Sequence, residues 1–374
     1  MPPDLIVFSH LRWTGVWQRP QHLISRLAAG RRTWFVEEPE PGTGSEPRLR
    51  TERHGPVTRV WMELPELEAS RTWDRALAEA HAEPLCRLVG PGDDRWVWLQ
   101  TPMAFDMVAP LEPRRLVYDV MDDLAAFAGA PEGLVLHQRR TLHEADIVFT
   151  GGRSLHRSVV AHRPTGTHLF PSGVDPAHYE PARRHRRRRH RQPEGRPVAG
   201  YVGVIDERVD LDLVAGLADH LPGWDVQMVG PVAKIDPMSL PPRPNVAYPG
   251  QQPYSALPEV MGGFDVALMP FARNEATASI SPTKTLEYLA AGLPVVSTRV
   301  PDVVADHSSV VCLQDDAEGF AAACRRVRGD DLTDRDRKLA PLLARQDWDR
   351  IAERMRGLIE RLDAPAVPAG EVTA

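Results

Sequence analysis

The sequence predicts an α/β protein built as two doubly wound domains, and three observations lead there. The chain has 374 residues, too many for one ordinary hydrophobic core. Short apolar runs alternate with helix-periodic segments through the first half, and a second alternation begins at Val198. Between them, residues 183–191 read Arg-Arg-His-Arg-Arg-Arg-Arg-His-Arg and break the pattern.

In order along the chain, Leu5–Ser9 reads as a strand. Gln18–Ala29 reads as a helix, because Leu23, Ile24 and Leu27 share a face and Gly30 can stop it. With Thr33–Glu37 as the next strand, this is one βαβ unit. Further strands are expected at Val57–Glu63, Trp96–Gln100, Leu116–Val120, Ile147–Thr150 and His168–Phe170, with helices at Trp73–Leu88 and Leu134–Ala145. Residues 1–182 form the first domain on this reading. The basic block and the Gln-Pro-Glu-Gly-Arg-Pro after it, together 183–197, are expected to be a solvated linker or loop. The second domain, 198–340, has strands at Val198–Val202, Asp225–Val229, Val246–Tyr248, Val266–Pro270, Val295–Thr298 and Val310–Leu313. Helices are expected at Asp210–His220, Tyr254–Met261 and Ala317–Arg328. Residues 341–362 should supply C-terminal helices that pack back toward the first domain. Trp348–Leu362 is amphipathic, with Ile351, Met355, Leu358 and Ile359 on one side. The Pro/Ala-rich tail, 363–374, is expected to be disordered.

Composition narrows the function. A hydrophobic fraction of 42% and a charged fraction of 26% suit a globular protein, and a net charge of −6 gives no global attraction to nucleic acid or anionic membrane. The Arg/His block lacks interleaved aromatics, so nucleic acid is not an expected partner, and any peripheral membrane contact should be weak. No apolar run of about 18 residues and no signal-like start is present, so a cytoplasmic location is expected. The 3 cysteines show no C-x-x-C spacing and the 14 histidines no paired ligand spacing. Reduced thiols, no metal and no cofactor are the expectation. Gly200 and Gly203 are not part of a G-x-G-x-x-G fingerprint, which argues against a dehydrogenase.

Residues 281–298 carry the most chemistry. Ser281 can cap a helix, Pro282 suits its first position and Gly292 can take the left-handed turn that ends it. Lys284 then sits at the positive end of the helix dipole, at a cost of about 0.3–1 kcal/mol. A docked anion would reverse that cost: the amides near Thr283 and the Lys284 ammonium would hold phosphate, with Glu287 at i+3 accepting from vicinal sugar hydroxyls. A solvated Lys284–Glu287 pair on an ordinary helix accounts for the same residues.

Four segments together resemble a known family: Arg12-Trp13-Thr14-Gly15-Val16-Trp17-Gln18-Arg19-Pro20-Gln21-His22; Tyr118-Asp119-Val120-Met121-Asp122-Asp123; Gly200 through Asp210; and Asn274-Glu275 through Pro294. They resemble glycosyltransferase family 4, in its teichuronic-acid-type bacterial branch. The resemblance implies the GT-B architecture, two Rossmann-like domains facing across a cleft, the first on the acceptor side and the second binding a nucleotide-sugar. It implies a hexosyltransferase (EC 2.4 class) that retains anomeric configuration without a metal. The donor would be a UDP-hexose or related nucleotide-sugar, and the acceptor a glycan or small molecule. A sugar-nucleotide epimerase on the same fold, or a noncatalytic regulatory or nucleic-acid-binding protein, is the alternative.

Carried over by residue, Arg208 and Lys284 would neutralise the donor diphosphate. Val204 follows Gly203 where the family has an arginine, so Arg208 must do more. Glu287 matches the second carboxylate of the family's E-x7-E motif, while the first falls on Ser279 and leaves Glu275, upstream, to reach the donor sugar. Gly15, Gly203, Ser281 and Thr283 complete the expected donor contacts. Asp122 is expected at the acceptor or transferred sugar, with a helix N-cap as its other reading. Trp13, Trp17 and Arg19 would wall the acceptor, although Trp17 could equally be core. Pro249-Gly250-Gln251-Gln252 would border the nucleobase. The family's mid-domain histidine is missing, that region reading Leu99-Gln100-Thr101-Pro102, and His10 and His22 are expected to be structural.

Overall fold

The structure is a computed structural model that describes residues 2–65, 75–92, 94–124, 133–192, 195–278, 280, 283–330 and 332–363. Its first sheet contains β1 (Asp4–Ser9), β2 (Thr33–Glu37), β3 (Glu40–Gly42), β4 (Arg48–His54), β5 (Val57–Pro65), β6 (Arg95–Leu99), β7 (Arg115–Val120), β8 (Ile147–Thr150) and β9 (Thr167–Leu169). The order is β3-β5-β2-β1-β6-β7-β8-β9, parallel except where β4 folds back on β5. Helices α1 (Arg19–Leu27), α2 (Arg75–Val89), α3 (Val108–Leu111), α4 (Leu134–Glu144) and α5 (Arg153–His162) connect these strands. A parallel sheet is covered on both faces, so its strands read as unbroken apolar runs. Ile6 and Phe8 of β1 join one core cluster, and Leu5 and Val7 join the cluster on the other face.

The second sheet holds β10 (Val198–Val202), β11 (Asp225–Val229), β12 (Val246–Gly250), β13 (Val266–Met269), β14 (Val295–Ser297) and β15 (Cys312–Leu313), ordered β12-β11-β10-β13-β14-β15. Its helices are α6 (Glu180–Arg191), α7 (Leu211–His220), α8 (Leu257–Gly262), α9 (Glu275–Ala278), α10 (Thr283–Ala290), α11 (Pro301–His307) and α12 (Ala317–Val327), followed by α13 (Leu332–Arg345) and α14 (Trp348–Asp363). Gly292 stands at φ +77° just past α10, the left-handed stop its position required.

The basic block is a helix, not a loop. Within α6, Ala182 and Arg186 lie four residues apart on a buried face. Arg186 donates to the Gly292 carbonyl at 2.6 Å and the Asp265 carbonyl at 3.4 Å, while Arg187 pairs with Asp336 at 2.5 Å and Arg189 with Asp265 at 3.2 Å. Long guanidinium stems reach carbonyls and carboxylates of the second domain, so a segment without apolar bulk is held by polar contacts.

Helix α14 returns to the first domain. Trp348, Ile351, Ala352, Met355 and Ile359 share a core cluster with Leu5, Val7, Leu23 and Trp98. The two chain crossings between domains are joined to each other. Val174 N–H donates to the Gln346 carbonyl at 2.8 Å, and Trp348 N–H donates to the Val174 carbonyl at 3.1 Å. The tail expected after Asp363 lies outside the described residues, among which no helix is long and apolar enough to cross a membrane.

Candidate active site

Loops at the C-terminal ends of both sheets meet along a cleft, the place where open α/β sheets present side chains to a ligand. One cavity of about 440 Å3 lies between Gly15, Val16 and Trp17 of the first domain and Gly203, Gly230, Gln251, Tyr254 and Lys284 of the second. An adjoining cavity of about 130 Å3 is lined by Arg19, Met121 and Asp122 on one side and Tyr201, Gly203, Arg208, Thr283 and Lys284 on the other. Val16, Gly203 and Lys284 belong to both, which makes them one continuous site.

The second-domain wall is densely paired. Helix α10 carries Lys284 and Glu287 on one face, with Lys284 Nζ 2.6 Å from Glu287 Oε2. The Tyr179 hydroxyl donates to the same oxygen at 2.8 Å, and Glu287 is 4% exposed. The pair is therefore buried and oriented, not solvated, and among the described residues both hydrogen bonds to the carboxylate fall on Oε2. Arg208 follows β10 and is gripped by Asp206, its Nε 3.0 Å and its Nη2 2.6 Å from Asp206 Oδ2. Burial works against the Arg208 charge, but the Asp206 hydrogen bonds and the carboxylates of Asp206 and Asp122 outweigh it and raise its pKa. The Asp122 contribution crosses the cleft. Gly230 stands at φ +150°, and a Cβ there would come 1.8 Å from the Gly203 carbonyl oxygen, so the backbone closes tightly against Gly203.

The first-domain wall is different. Strands β1, β6 and β7 are neighbours, so the residues that follow them, His10, Gln100 and Asp122, come out side by side. Gln100 is 2% exposed, yet among the described residues both its amide oxygen and nitrogen lack a hydrogen-bond partner, as does His10 Nδ1. Burial lowers the His10 pKa against the opposing pull of Asp122. Trp17 lines the larger cavity and stacks on Tyr254 at 5.4 Å, its Nε1 buried without a partner among the described residues. Tyr254 is also stacked on His178 at 4.0 Å, and His22 packs between Tyr254 and Trp348. Burial, aided by Arg26, Lys284 and His178, pushes the His22 pKa down to about 3. Elsewhere along the junction, Asp302 at the start of α11 accepts from Arg153 N–H at 2.8 Å and Ser154 N–H at 3.1 Å, capping α5 across the domain boundary.

The structure thus brings Gly15, Trp17, Asp122, Gly203, Arg208, Thr283 and Lys284 together around the cleft, with Glu287 directly behind Lys284. Trp13 is not part of it. It is 5% exposed and packs on Phe35 at 5.0 Å, because its backbone N–H is tied to Glu37 and turns the ring into the core. Arg19 reaches the cleft edge, but three of its five N–H donors are committed within the domain, two to a buried pair with Asp119 (2.8 and 3.1 Å) and one to the Phe170 carbonyl. Glu275 starts α9, and Ser281 lies outside the described residues. Tyr179, Asp206, Tyr254 and Gln100 were not anticipated as site residues. Asp206 was the most accessible from sequence, two positions before Arg208.

The fold aligns over 96% of this chain and 99% of the E. coli trehalose-6-phosphate structure bound with UDP-2-fluoro glucose, with a TM-score of 0.71 at 12% identity. Sucrose-phosphate synthase from Thermosynechococcus elongatus aligns over 96% of this chain and 99% of its own, with a TM-score of 0.69 at 15% identity. Residues 196–330, which hold Arg208, Lys284 and Glu287, match the family described as glycosyl transferases group 1. The second domain thus resembles the group 1 glycosyl transferases, on a chain with the GT-B architecture of these two structures. The chain is also 27% identical over 256 residues to TuaH of Bacillus subtilis (strain 168), described as a putative teichuronic acid biosynthesis glycosyltransferase. That match spans 63% of this chain and 64% of the relative's length.

Proposed function

We propose that the enzyme moves a sugar, most simply a hexose, from a UDP-type nucleotide donor to a hydroxyl of a glycan or small-molecule acceptor, with retained configuration and without a metal. The supporting observation is the convergence of Lys284, Arg208 and the first turn of α10 on one cavity shared by both domains. In such a transfer the bond from the anomeric carbon to the diphosphate oxygen breaks and a bond to the acceptor oxygen forms. The acceptor proton passes to the departing diphosphate, whose growing charge is what preorganised cations and helix amides stabilise. Two guanidinium or ammonium groups held by carboxylates need no rearrangement to do so, which is why no metal is invoked. Glu287 keeps Oε2 on Lys284 and Tyr179 and would offer Oε1 to the ribose hydroxyls. Gln251 and Gln252, beside the larger cavity, would border the base.

The acceptor would lie against Asp122, His10 and Gln100. On the outside of α6, exposed Arg184, Arg188 and Arg191 follow one another at i, i+4 and i+7, a stripe suited to weak contact with an anionic bilayer. A thermal-shift screen with UDP, GDP, ADP and dTDP and their sugars tests the donor half. Stabilisation by a UDP compound that is lost in Lys284→Ala is expected, and no stabilisation by any nucleotide would overturn the reading. Co-sedimentation with anionic vesicles tests the stripe, and retention at high salt would count against it.

A further inference from the structure

A cavity of about 780 Å3 lies at the opposite edge of the first sheet, among the N-terminal ends of β1, β2 and β6. It is far from the cleft in topology, since the cleft takes the other ends of the same strands. Its charged lining is dominated by arginine: Arg31, Arg32, Arg53 and Arg95 against Asp4 and Asp94. Both carboxylates are already engaged, Asp4 by Arg32 at 3.0 Å and Asp94 by Arg114 at 2.9 Å. Arg95 is tied to the Gly90 and Gly92 carbonyls.

Arg31 is the exception. It is 9% exposed, and its Nε and Nη1 are buried with no hydrogen-bond partner among the described residues. The guanidinium lies over the Trp96 ring at 4.4 Å. That contact uses the flat face of the group and leaves its in-plane N–H donors unsatisfied. The Thr33 hydroxyl, on a residue 3% exposed, is likewise buried without a partner and lines the same cavity. Burial and nearby Arg356 disfavour the Arg31 charge, and Glu360, Asp4 and Asp94 oppose them only in part. Those carboxylates act on Arg31 without a hydrogen bond to it, so a buried cation with idle donors stands beside an idle hydroxyl in an arginine-lined cavity.

We propose that this cavity is a second binding site, separate from the transfer cleft, which takes the phosphate group of a small phosphorylated molecule on Arg31 with Thr33 as a further donor. A phosphate accepts from a planar fork of N–H groups and from a hydroxyl at once, and the cavity has room for the organic part the phosphate is attached to. The site is independent of what the cleft transfers.

The test is titration of the full chain with inorganic phosphate at fixed ionic strength against chloride, read by calorimetry and thermal shift. Lys284→Ala, which removes a phosphate contact of the cleft, should keep the Arg31-dependent part of the binding, which separates this site from the cleft. Arg31→Met should weaken binding about tenfold or more, Arg31→Lys less, and Thr33→Val by about threefold. If Arg31→Met does not fold, Arg31→Lys and Thr33→Val decide. A parallel arm with phosphatidic acid vesicles separates a lipid headgroup from a soluble phosphate: Arg31-dependent binding in either arm supports the site and names its source. Equal binding by native protein and the Arg31 variants, loss of all binding in Lys284→Ala, or no binding in either arm would overturn it.

Discussion

The two walls of the cleft solve opposite problems. On the second domain, the two cations lining the cavity are already held: Arg208 by Asp206, and Lys284 by Glu287, which Tyr179 holds in turn. On the first domain, Trp17 at the cavity and Gln100 at the end of the neighbouring β6 have buried polar atoms without a hydrogen-bond partner among the described residues. The contrast separates a preorganised surface, suited to stabilising charge that appears during reaction, from an unsatisfied one that gains hydrogen bonds only when a hydroxyl-rich partner arrives. The first costs little when substrate binds. The second discriminates, because a partner lacking the right hydroxyl leaves buried groups unpaired.

The sharpest way to break this contrast is Lys284→Ala. It removes one cation and strands Glu287, and nucleotide affinity should fall about 30-fold or more, measured by calorimetry. Unchanged affinity would mean the paired wall is only structural. Asp206→Asn should next lower kcat about tenfold with a smaller change in nucleotide affinity, because Arg208 keeps its charge but loses the grip that aims it. Gln100→Leu should raise the acceptor KM about fivefold while donor affinity stays put, and it should not lower the Tm, since the amide makes no internal bond to lose. A large fall in Tm would show the first wall to be packed rather than waiting.

The smallest effect concerns His22, neutral in the junction with its pKa pushed down to about 3 from an ordinary 6.5. The unfolded chain therefore takes up the proton first as pH falls. Stability is complete above pH 6.5 and is lost progressively between there and pH 3, by about 1–3 kcal/mol at pH 4.5. His22→Phe keeps a ring on Trp348 and Tyr254, so its melting temperature should depend less on pH over that range.

Sequence was most informative where burial is symmetric. Strands β1, β2, β6, β8, β10 and β11 were legible as apolar runs with turn residues at their ends, and α14 as an amphipathic stripe. The β3 and β4 additions were not, because β4 reads Arg-Leu-Arg-Thr-Glu-Arg-His and is largely exposed. Helix α6 was missed for the opposite reason: its burial rests on Arg186 reaching carbonyls far away in sequence. The same limit applies to the site. Lys284, Glu287 and Arg208 sit in recognisable local motifs, whereas the convergence of His10, Gln100 and Asp122 depends on strand order, which no local pattern contains. Trp13 misled because an aromatic next to a glycine loop looks the same whether its backbone is tethered inward or outward.

The return of α14 to the first domain has a consequence for how the protein is made. Trp348, Ile351, Met355 and Ile359 complete a core whose other members include Leu5, Val7 and Leu23, at the far end of the chain. Helix α1 covers only part of that face of the first sheet, so the rest stays uncovered while the ribosome delivers the second domain and is sealed when α14 emerges. During synthesis the nascent chain carries the α14-facing part of that surface exposed, and the second domain, whose core cluster reaches no further than α13, is expected to mature first despite being translated later.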